Sequence, residues 1–198
     1  ATAGTEYTAT PGTLTLAPEL PATAPEGDLT GSVTLTRGTV VRRVPFWLRV
    51  VRPALEGAAA IPLLRQGTFA GNTRGKPALV STYRYPEVRA DAGIATVLAG
   101  PEQLFRVTLL QPVANFGVVV TRRAAGVRVE PRVVAAGDEN RLTGYAALPL
   151  NLNPYLAQFG EPVLAAGAVR PAAGSYDVVF DSPGRRGAGA YTFRYWVN

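Results

Sequence analysis

The sequence predicts an all-β fold of the antiparallel β-sandwich type, and three observations support this. Apolar and polar residues alternate with a period of two in many short segments, which is typical of strands that bury one face. The 21 glycines and 17 prolines are dispersed, as turns between such strands require. The two stretches that most resemble helices, 54–65 and 156–168, each contain a glycine and a proline. We therefore expect no helix beyond a short turn.

The first predicted strands form a hairpin over residues 29–51. Val33 and Leu35 point to one side of the first strand, and Gly38 supplies a turn. Pro45 has no N–H to donate to a ladder, so the second strand is expected at an edge. One face of that second strand is apolar and consists of Val44, Phe46, Leu48 and Val50.

Later segments repeat the alternation and predict further strands. Tyr176–Phe180 and Tyr191–Val197 alternate strongly, and the turn residues Ser182-Pro183-Gly184 between them predict a terminal hairpin. Further strands are predicted at 105–109, 115–120 and 127–130.

Two units are predicted, with a boundary near Val51-Arg52-Pro53. The first, 1–54, is only about half of the roughly 100 residues of a complete immunoglobulin-like sandwich. There are two possibilities for this unit. Either its first strands lie before Ala1 in the sequence, or its open face packs on the second unit. The second, 66–198, is long enough for a complete eight-stranded sandwich, immunoglobulin-like, fibronectin III-like or jelly-roll-like. The prediction is thus a partial sandwich followed by a complete one.

The chain contains no histidine and no cysteine in 198 residues. Histidine is the usual proton shuttle near neutral pH and the commonest metal ligand, and cysteine supplies thiolate nucleophiles and soft metal ligation. Ser-His-Asp and Cys-His relays and ordinary zinc sites are therefore excluded. We expect a chain without catalytic machinery of its own.

The charge is strongly positive, with a net charge of +6 and a pI near 10.1. Lys76 is the only lysine, and arginines occur as the pairs Arg42-Arg43, Arg122-Arg123 and Arg185-Arg186. Such pairs belong either to a solvated surface or to a basic face for an anionic polymer such as cell wall. No basic run is interleaved with aromatic residues, so a nucleic-acid partner is not expected.

No apolar stretch reaches about 18 residues, so membrane insertion is not expected. A signal-peptide pattern is also absent from the sequence. The chain is interpreted as an internal or C-terminal piece of a larger polypeptide.

The sharpest acidic cluster is Asp138-Glu139-Asn140. Loop oxygens such as those of Asp138 and Asn140 are the ligands that Ca²⁺ prefers, although Leu142 stands where an EF-hand loop needs a further oxygen ligand. The alternative is a polar turn in which Asp138 or Asn140 caps backbone N–H groups. No other cofactor is predicted.

Aromatic residues gather around Tyr83, Tyr85 and Tyr155. Exposed tyrosines can stack on sugar rings or hold an extended peptide, whereas buried ones pack in a core. These three are the candidate binding residues.

Three parts of the sequence resemble the region that follows the catalytic domain in large secreted bacterial subtilisin-like serine peptidases. The first, Gly-Ser-Val-Thr-Leu at 31–35 with Val-Pro-Phe-Trp at 44–47, is similar to the closing strands of the fibronectin III-like domain in those enzymes. The second runs from 137 to 155. The third, Gly-Ser-Tyr-Asp-Val at 174–178 with Tyr-Thr-Phe at 191–193, resembles the last strands of the pre-peptidase C-terminal β-sandwich.

The resemblance implies a non-catalytic role, because the subtilisin histidine motif and the Gly-Thr-Ser-Met-Ala segment are both missing. It implies an exported, secreted or cell-surface protein that stabilises the peptidase, assists its export or presents substrate to it. The implied partners are the catalytic domain of the parent peptidase, protein substrate and cell-wall polymer. Two alternatives stay open: a carbohydrate- or cell-wall-binding module, and a structural or adhesive surface protein with no enzyme attached.

Overall fold

The structure, a computed structural model, describes residues 17, 19–21, 23–86, 98–143 and 164–198. The chain divides into two compact units, Ala1–Val51 and Arg52–Asn198. This division lies close to the predicted boundary, but it places in the second unit both residues 52–54, which were predicted in the first unit, and residues 55–65, which were predicted between the units. The physical reason is burial, because Leu55 and Leu63 are both part of hydrophobic cores formed by the second unit.

The described part of the first unit is a two-stranded antiparallel ribbon. Strand β1 (Gly27–Arg37) pairs along its whole length with β2 (Val40–Val50). Gly38 turns the chain with a φ of 58°, a left-handed conformation that glycine adopts without strain. The predicted hairpin is confirmed.

The two faces of the ribbon differ in polarity. On one face the Phe46 ring covers Gly31, where a Cβ atom would lie 2.5 Å from the ring. On the other face Arg49 Nε lies 3.0 Å from Asp28 Oδ1, and the guanidinium lies 5.1 Å from the centre of the Trp47 ring. The first face, called here the ribbon's apolar face, contains two arginines, Arg37 and Arg42, and its apolar residues are Leu29, Val33, Leu35, Val40, Val44, Phe46 and Leu48.

The second unit is a β-sandwich, which confirms the predicted all-β class. Its described strands are β3 (Ile61–Pro62), β4 (Gly67–Asn72), β5 (Glu102–Leu109), β6 (Asn115–Arg123), β7 (Glu130–Ala135), β8 (Asp138–Leu142), β9 (Ala165–Val169), β10 (Gly174–Asp181) and β11 (Ala190–Val197). One sheet has the order β3-β5-β10-β7-β8 and the other the order β4-β11-β6-β9. All pairings are antiparallel except that of β3 with β5.

Within the described ranges, no helix combines the length and apolar character that crossing a lipid bilayer demands.

Aromatic side chains fill the space between the two sheets. Phe105 and Phe180 come from the five-stranded sheet, and Phe193 from the four-stranded sheet lies 4.8 Å and 4.5 Å from them between ring centres. Offset and tilted ring pairs at such distances add about 0.5–1.5 kcal/mol beyond their area burial. The alternation of aromatic residues along β5, β10 and β11 thus becomes the core of the sandwich.

The predicted terminal hairpin is wrong. Strand β10 pairs with β5 and β7, whereas β11 pairs with β4 and β6, so residues 182–189 carry the chain from one sheet to the other. The two strands face each other through Phe180 and Phe193 instead of sharing a ladder. Period two is the same for strands paired in a sheet and for strands packed across a core, so the pattern does not distinguish them.

A second, smaller core lies on the outer face of the five-stranded sheet. Leu104, Val134 and Val179 project from the sheet on that side and are buried. Two segments without regular structure cover them, 52–60 through Leu55 and 77–86 through Val80. Segment 77–86 is called here the strap, because it crosses β5, β10 and β7.

Thr73 joins the end of β4 to the crossing between the sheets. Its buried hydroxyl lies 2.7 Å from Ser182 Oγ and accepts a hydrogen bond from Gly189 N at 3.1 Å. Thr73→Val keeps the shape but leaves both partners unsatisfied, so we expect a loss of about 1–2 kcal/mol of unfolding free energy. Urea denaturation measures this, with Thr68→Val on the exposed side of β4 as the control; equal effects of the two changes would contradict it.

Candidate functional site

The predicted calcium ligands Asp138 and Asn140 lie in β8, directly after a turn at Gly137. Asp138 Oδ1 accepts hydrogen bonds from Asn140 N at 2.9 Å and Asn140 Nδ2 at 3.3 Å. Asn140 Oδ1 accepts from Arg84 Nη1 at 2.9 Å. Both oxygens therefore have partners, and these contacts match the alternative of a polar turn.

The contacts of Asn140 do not favour a bound cation, because the positively charged guanidinium of Arg84 already donates a hydrogen bond to its amide oxygen. The Glu139 carboxylate accepts hydrogen bonds from Ala54 N at 2.8 Å and Leu55 N at 3.2 Å. Among the described residues, no group of three or more acidic side chains is arranged to hold a metal ion. Calcium binding stays a prediction that these contacts do not favour.

Tyr83 points into the protein and forms no exposed platform. Its hydroxyl donates to Asp181 at 3.0 Å (Oδ1) and 3.1 Å (Oδ2), and the Arg132 guanidinium lies 5.0 Å from the ring centre. Burial raises the pKa of this phenol well above its ordinary value. The expectation that Tyr83 and Tyr85 together present stacking surfaces is therefore not met by the geometry at Tyr83.

Tyr85 is half-buried and packs against the second core. It also lines a surface cavity of about 590 Å³ together with Arg141, Thr143, Ser175 and Tyr176. The third aromatic candidate, Tyr155, lies outside the described residues. Tyr85 is thus the one described member of the predicted aromatic set that borders open space.

A group of neighbouring acidic side chains lies between the strap and the five-stranded sheet. Asp181 in β10 pairs in register with Glu102 of β5 on one side and with Glu130 of β7 on the other, so three carboxyl groups lie side by side across the sheet. Glu102 and Asp181 are only 2% and 1% exposed. Arg132 compensates part of this charge, with Nη1 2.6 Å from Asp181 Oδ2 and Nη2 3.0 Å from Glu130 Oε2.

Glu102 holds the strap against the five-stranded sheet through hydrogen bonds. Its Oε2 accepts hydrogen bonds from Leu79 N at 2.5 Å and Val80 N at 3.2 Å, and its carboxyl group is also hydrogen-bonded to Asp181. Since Tyr83 donates to Asp181, the strap is held at three residues by two acids. This cluster of Tyr83, Glu102, Arg132 and Asp181 is called here the acid clamp.

Burial changes the protonation of the acid clamp. It raises the pKa of Glu102 to about 7, and the neighbouring Asp181 adds to the rise while the N–H group of Leu79 opposes it. Burial also raises the pKa of Asp181 to about 6, against the lowering effect of Arg132. Because two carboxylates in contact repel each other, Glu102 is the group that keeps a proton and donates it to Asp181.

A third buried acid on the same face, Asp177, pairs with Arg106. Arg106 Nε lies 2.7 Å from Asp177 Oδ1 and Nη2 lies 2.9 Å from Oδ2, a bidentate arrangement. Gly137 N donates to the same carboxylate at 2.7 Å. Asp177 and Asp181 lie on the same face of β10, both have arginine partners, and segments 52–60 and 77–86 cover this face.

Paired carboxyl groups with shifted pKa values are a known means of acid–base catalysis. Catalysis also requires that a substrate reach them, and the strap lies over both acids of the clamp through Leu79, Val80 and Tyr83. The cluster therefore stabilises the strap in this conformation. Sequence reasoning missed Glu102 because the clamp joins residues 83, 102, 132 and 181, and no local spacing marks such a set.

A scan against models of known protein families, a search of curated proteins and a search of solved structures found no significant match for this chain. The described residues define an all-β protein, in which one unit contains a two-stranded ribbon and the other is a β-sandwich.

Proposed function

We propose that this chain is a non-catalytic accessory region of an exported subtilisin-like serine peptidase, secreted or held at the cell surface. The observation that carries the proposal is the ribbon's apolar face. Leu29, Val40 and Val44 on that face are 42%, 53% and 49% exposed. A two-stranded ribbon by itself is marginally stable in water and needs a layer against its apolar side.

The dimensions of the ribbon indicate what kind of partner provides this layer. Two strands of 11 residues form a face roughly 36 Å long and 10 Å wide, or about 350 Å². A stable complex between separate proteins needs about 800 Å² on each partner. A face of less than half that area is too small for a freely diffusing partner, but it suffices when the partner is tethered at a high effective concentration.

The occupant proposed for the apolar face is therefore a β-sheet surface of the parent peptidase, within the same polypeptide. Leucine, valine and phenylalanine side chains in period two pack against another sheet at about 10 Å, as in an aligned sandwich. Burial of such a face at about 25 cal/mol per Å² contributes several kcal/mol, which is enough to stabilise an enzyme measurably.

The proposal is tested in the full-length parent polypeptide with Val44→Ser and Phe46→Ser combined. We expect a lower melting temperature of the peptidase and a several-fold lower secreted yield, because the ribbon can no longer cover its partner. The matched control combines Thr34→Ser and Arg43→Ser on the opposite face of the ribbon, and it should leave both quantities unchanged. Hydrolysis of a small peptide by the secreted enzyme should be the same for both variants.

A full-length enzyme and one lacking residues 1–198 are also compared. If the two show the same secretion, melting temperature and turnover on large protein substrates, the accessory role is refuted. Equal losses in the apolar-face variant and its control would refute the docking role of the face.

A further inference from the structure

Several separate segments of the sandwich meet at one end. In the four-stranded sheet, Ala190 at the start of β11 pairs with Asn72 at the end of β4, and Tyr191 pairs with Arg123 at the end of β6. Strand β10 ends at the same place, where residues 182–189 cross between the sheets. Loops 73–77, 124–129 and 182–189 are therefore neighbours.

Backbone hydrogen bonds fix these loops to one another. Thr73 N donates to Gly189 O at 3.1 Å, and Ala124 N donates to Ala190 O at 3.0 Å. Arg128 N donates to Gly187 O at 2.9 Å, and a Cβ on Gly187 would lie 3.3 Å from the Cβ of Arg128. The surface that the loops form is a connected part of the sandwich.

This end of the sandwich is strongly basic. The loops and the adjoining strand ends contain no aspartate, glutamate or aromatic residue over 73–77, 122–129 and 183–189. The exposed basic side chains there, called here the basic end, are Arg74, Lys76, Arg122, Arg128, Arg185 and Arg186.

Among the residues that the structure describes, the nearest acids do not neutralise the basic end. Glu102 and Asp181 are buried under the strap and bonded to each other. Glu130 lies beside the acid clamp and is paired with its Arg132. The positive charges of the basic end thus face solvent while the local negative charges are satisfied internally, which gives a positive field at this surface.

We propose that the basic end binds a linear anionic glycopolymer that carries carboxylates or phosphates at regular intervals. Five of the six side chains are arginines, whose planar guanidinium groups pair bidentately with carboxylate and phosphate oxygens. The groups come from three loops and from the adjoining end of β6, and they are spread over a surface, which suits an extended polymer. This inference does not depend on the proposed attachment to a peptidase.

Two other polyanionic partners fit the surface less well. Single-stranded nucleic acid is held by aromatic side chains that stack on bases, and the three segments of the basic end contain none. Peripheral membrane binding combines basic residues with exposed large apolar ones, whereas Val127 and Val129 in these loops are buried.

Binding of the whole chain to two immobilised polyanions tests the proposal: polygalacturonate, which carries carboxylates, and poly(glycerol phosphate). Neutral dextran is the reference polymer. We expect retention at 50 mM NaCl that weakens by about tenfold or more at 200 mM NaCl, as release of counterions from several contacts requires. Retention on only one of the two polyanions identifies which anionic group is recognised.

The variant Arg122→Glu/Arg186→Glu is expected to weaken binding at least tenfold. Its matched control, Arg65→Glu/Arg170→Glu, makes the same change in net charge at the opposite end of the sandwich, where Arg170 N donates to Ala114 O next to the start of β6. The control should stay within about twofold of the wild type. Circular dichroism and melting temperature verify that both variants are folded.

Four outcomes would overturn the inference. Equal losses in the two variants would mean that net charge alone attracts the polymer. Equal retention on dextran, or none on either polyanion at 20 mM NaCl, would mean that no anionic polymer is recognised. Tighter binding to a DNA oligonucleotide, lost in the same variant, would assign the surface to nucleic acid instead.

Discussion

Replacing Arg132 with methionine is expected to lower the free energy of unfolding by about 3–5 kcal/mol at pH 8. The change removes the only cation within the acid clamp, whose guanidinium pairs with Asp181 at 2.6 Å and Glu130 at 3.0 Å and lies 5.0 Å from the Tyr83 ring centre. Methionine has a similar length but leaves Asp181 buried and charged without a counterion. Chemical denaturation monitored by tryptophan fluorescence measures the loss.

The loss should be smaller at pH 5. The pKa of Asp181 is raised to about 6 even with Arg132 present, so at pH 5 the carboxyl group is largely protonated and tolerates the missing cation. Arg128→Met, an exposed arginine nearby, is the control and should change stability by less than about 0.5 kcal/mol. A loss that does not depend on pH would show that packing, not charge, explains the effect of Arg132.

Glu102→Gln is expected to make the protein more stable than the wild type at alkaline pH. Glutamine reproduces the protonated form of Glu102, since its carbonyl oxygen can accept from Leu79 N and Val80 N while its amide donates to Asp181. The carboxyl group of Glu102 has a raised pKa of about 7 against an ordinary 4.5. The unfolded chain therefore releases this proton at lower pH than the folded protein does, and wild-type stability falls as the pH rises from 4.5 to 7.

We expect the variant and the wild type to have similar stability at pH 4. At pH 8 the variant should be more stable by about 3 kcal/mol, because the pKa of Glu102 is raised from 4.5 to about 7 and each pKa unit corresponds to about 1.4 kcal/mol. Urea titrations at several pH values measure the difference. Glu56→Gln at an exposed position should keep the wild-type profile, and a Glu102→Gln profile parallel to that of the wild type would contradict the assignment of the shared proton.

Period-two alternation was sufficient to predict the ribbon and the sandwich class. Val33, Leu35, Val44 and Phe46 do share one face, because the geometry of a strand fixes which side chains point the same way. The geometry of a strand does not determine which other strands it pairs with. Between β10 and β11 the chain passes from one sheet to the other, and Phe180 and Phe193 pack against each other across the core. The same alternation of residues is also compatible with a hairpin.

The candidate site was less accessible to sequence reasoning. Asp138 and Asn140 are close together in the sequence, so the sequence shows them as a cluster. Their partner Arg84 comes from the strap, 56 residues before Asn140. Glu102 carried no signal because a glutamate at the start of a strand is usually solvated. Its burial follows from the path of the strap, which has neither helical nor strand periodicity.

The only lysine of the chain lies in a loop whose geometry is tightly held. Lys76 is exposed, and its N–H donates to Thr73 O at 3.1 Å, so it occupies a defined place among the arginines at the end of β4. Once the α-amino group of the chain is blocked, amine-directed labelling at Lys76 would therefore put a dye on one chosen spot of the surface without any engineered cysteine. Changes in its emission or in its rate of attachment would report directly when a polyanion covers that spot.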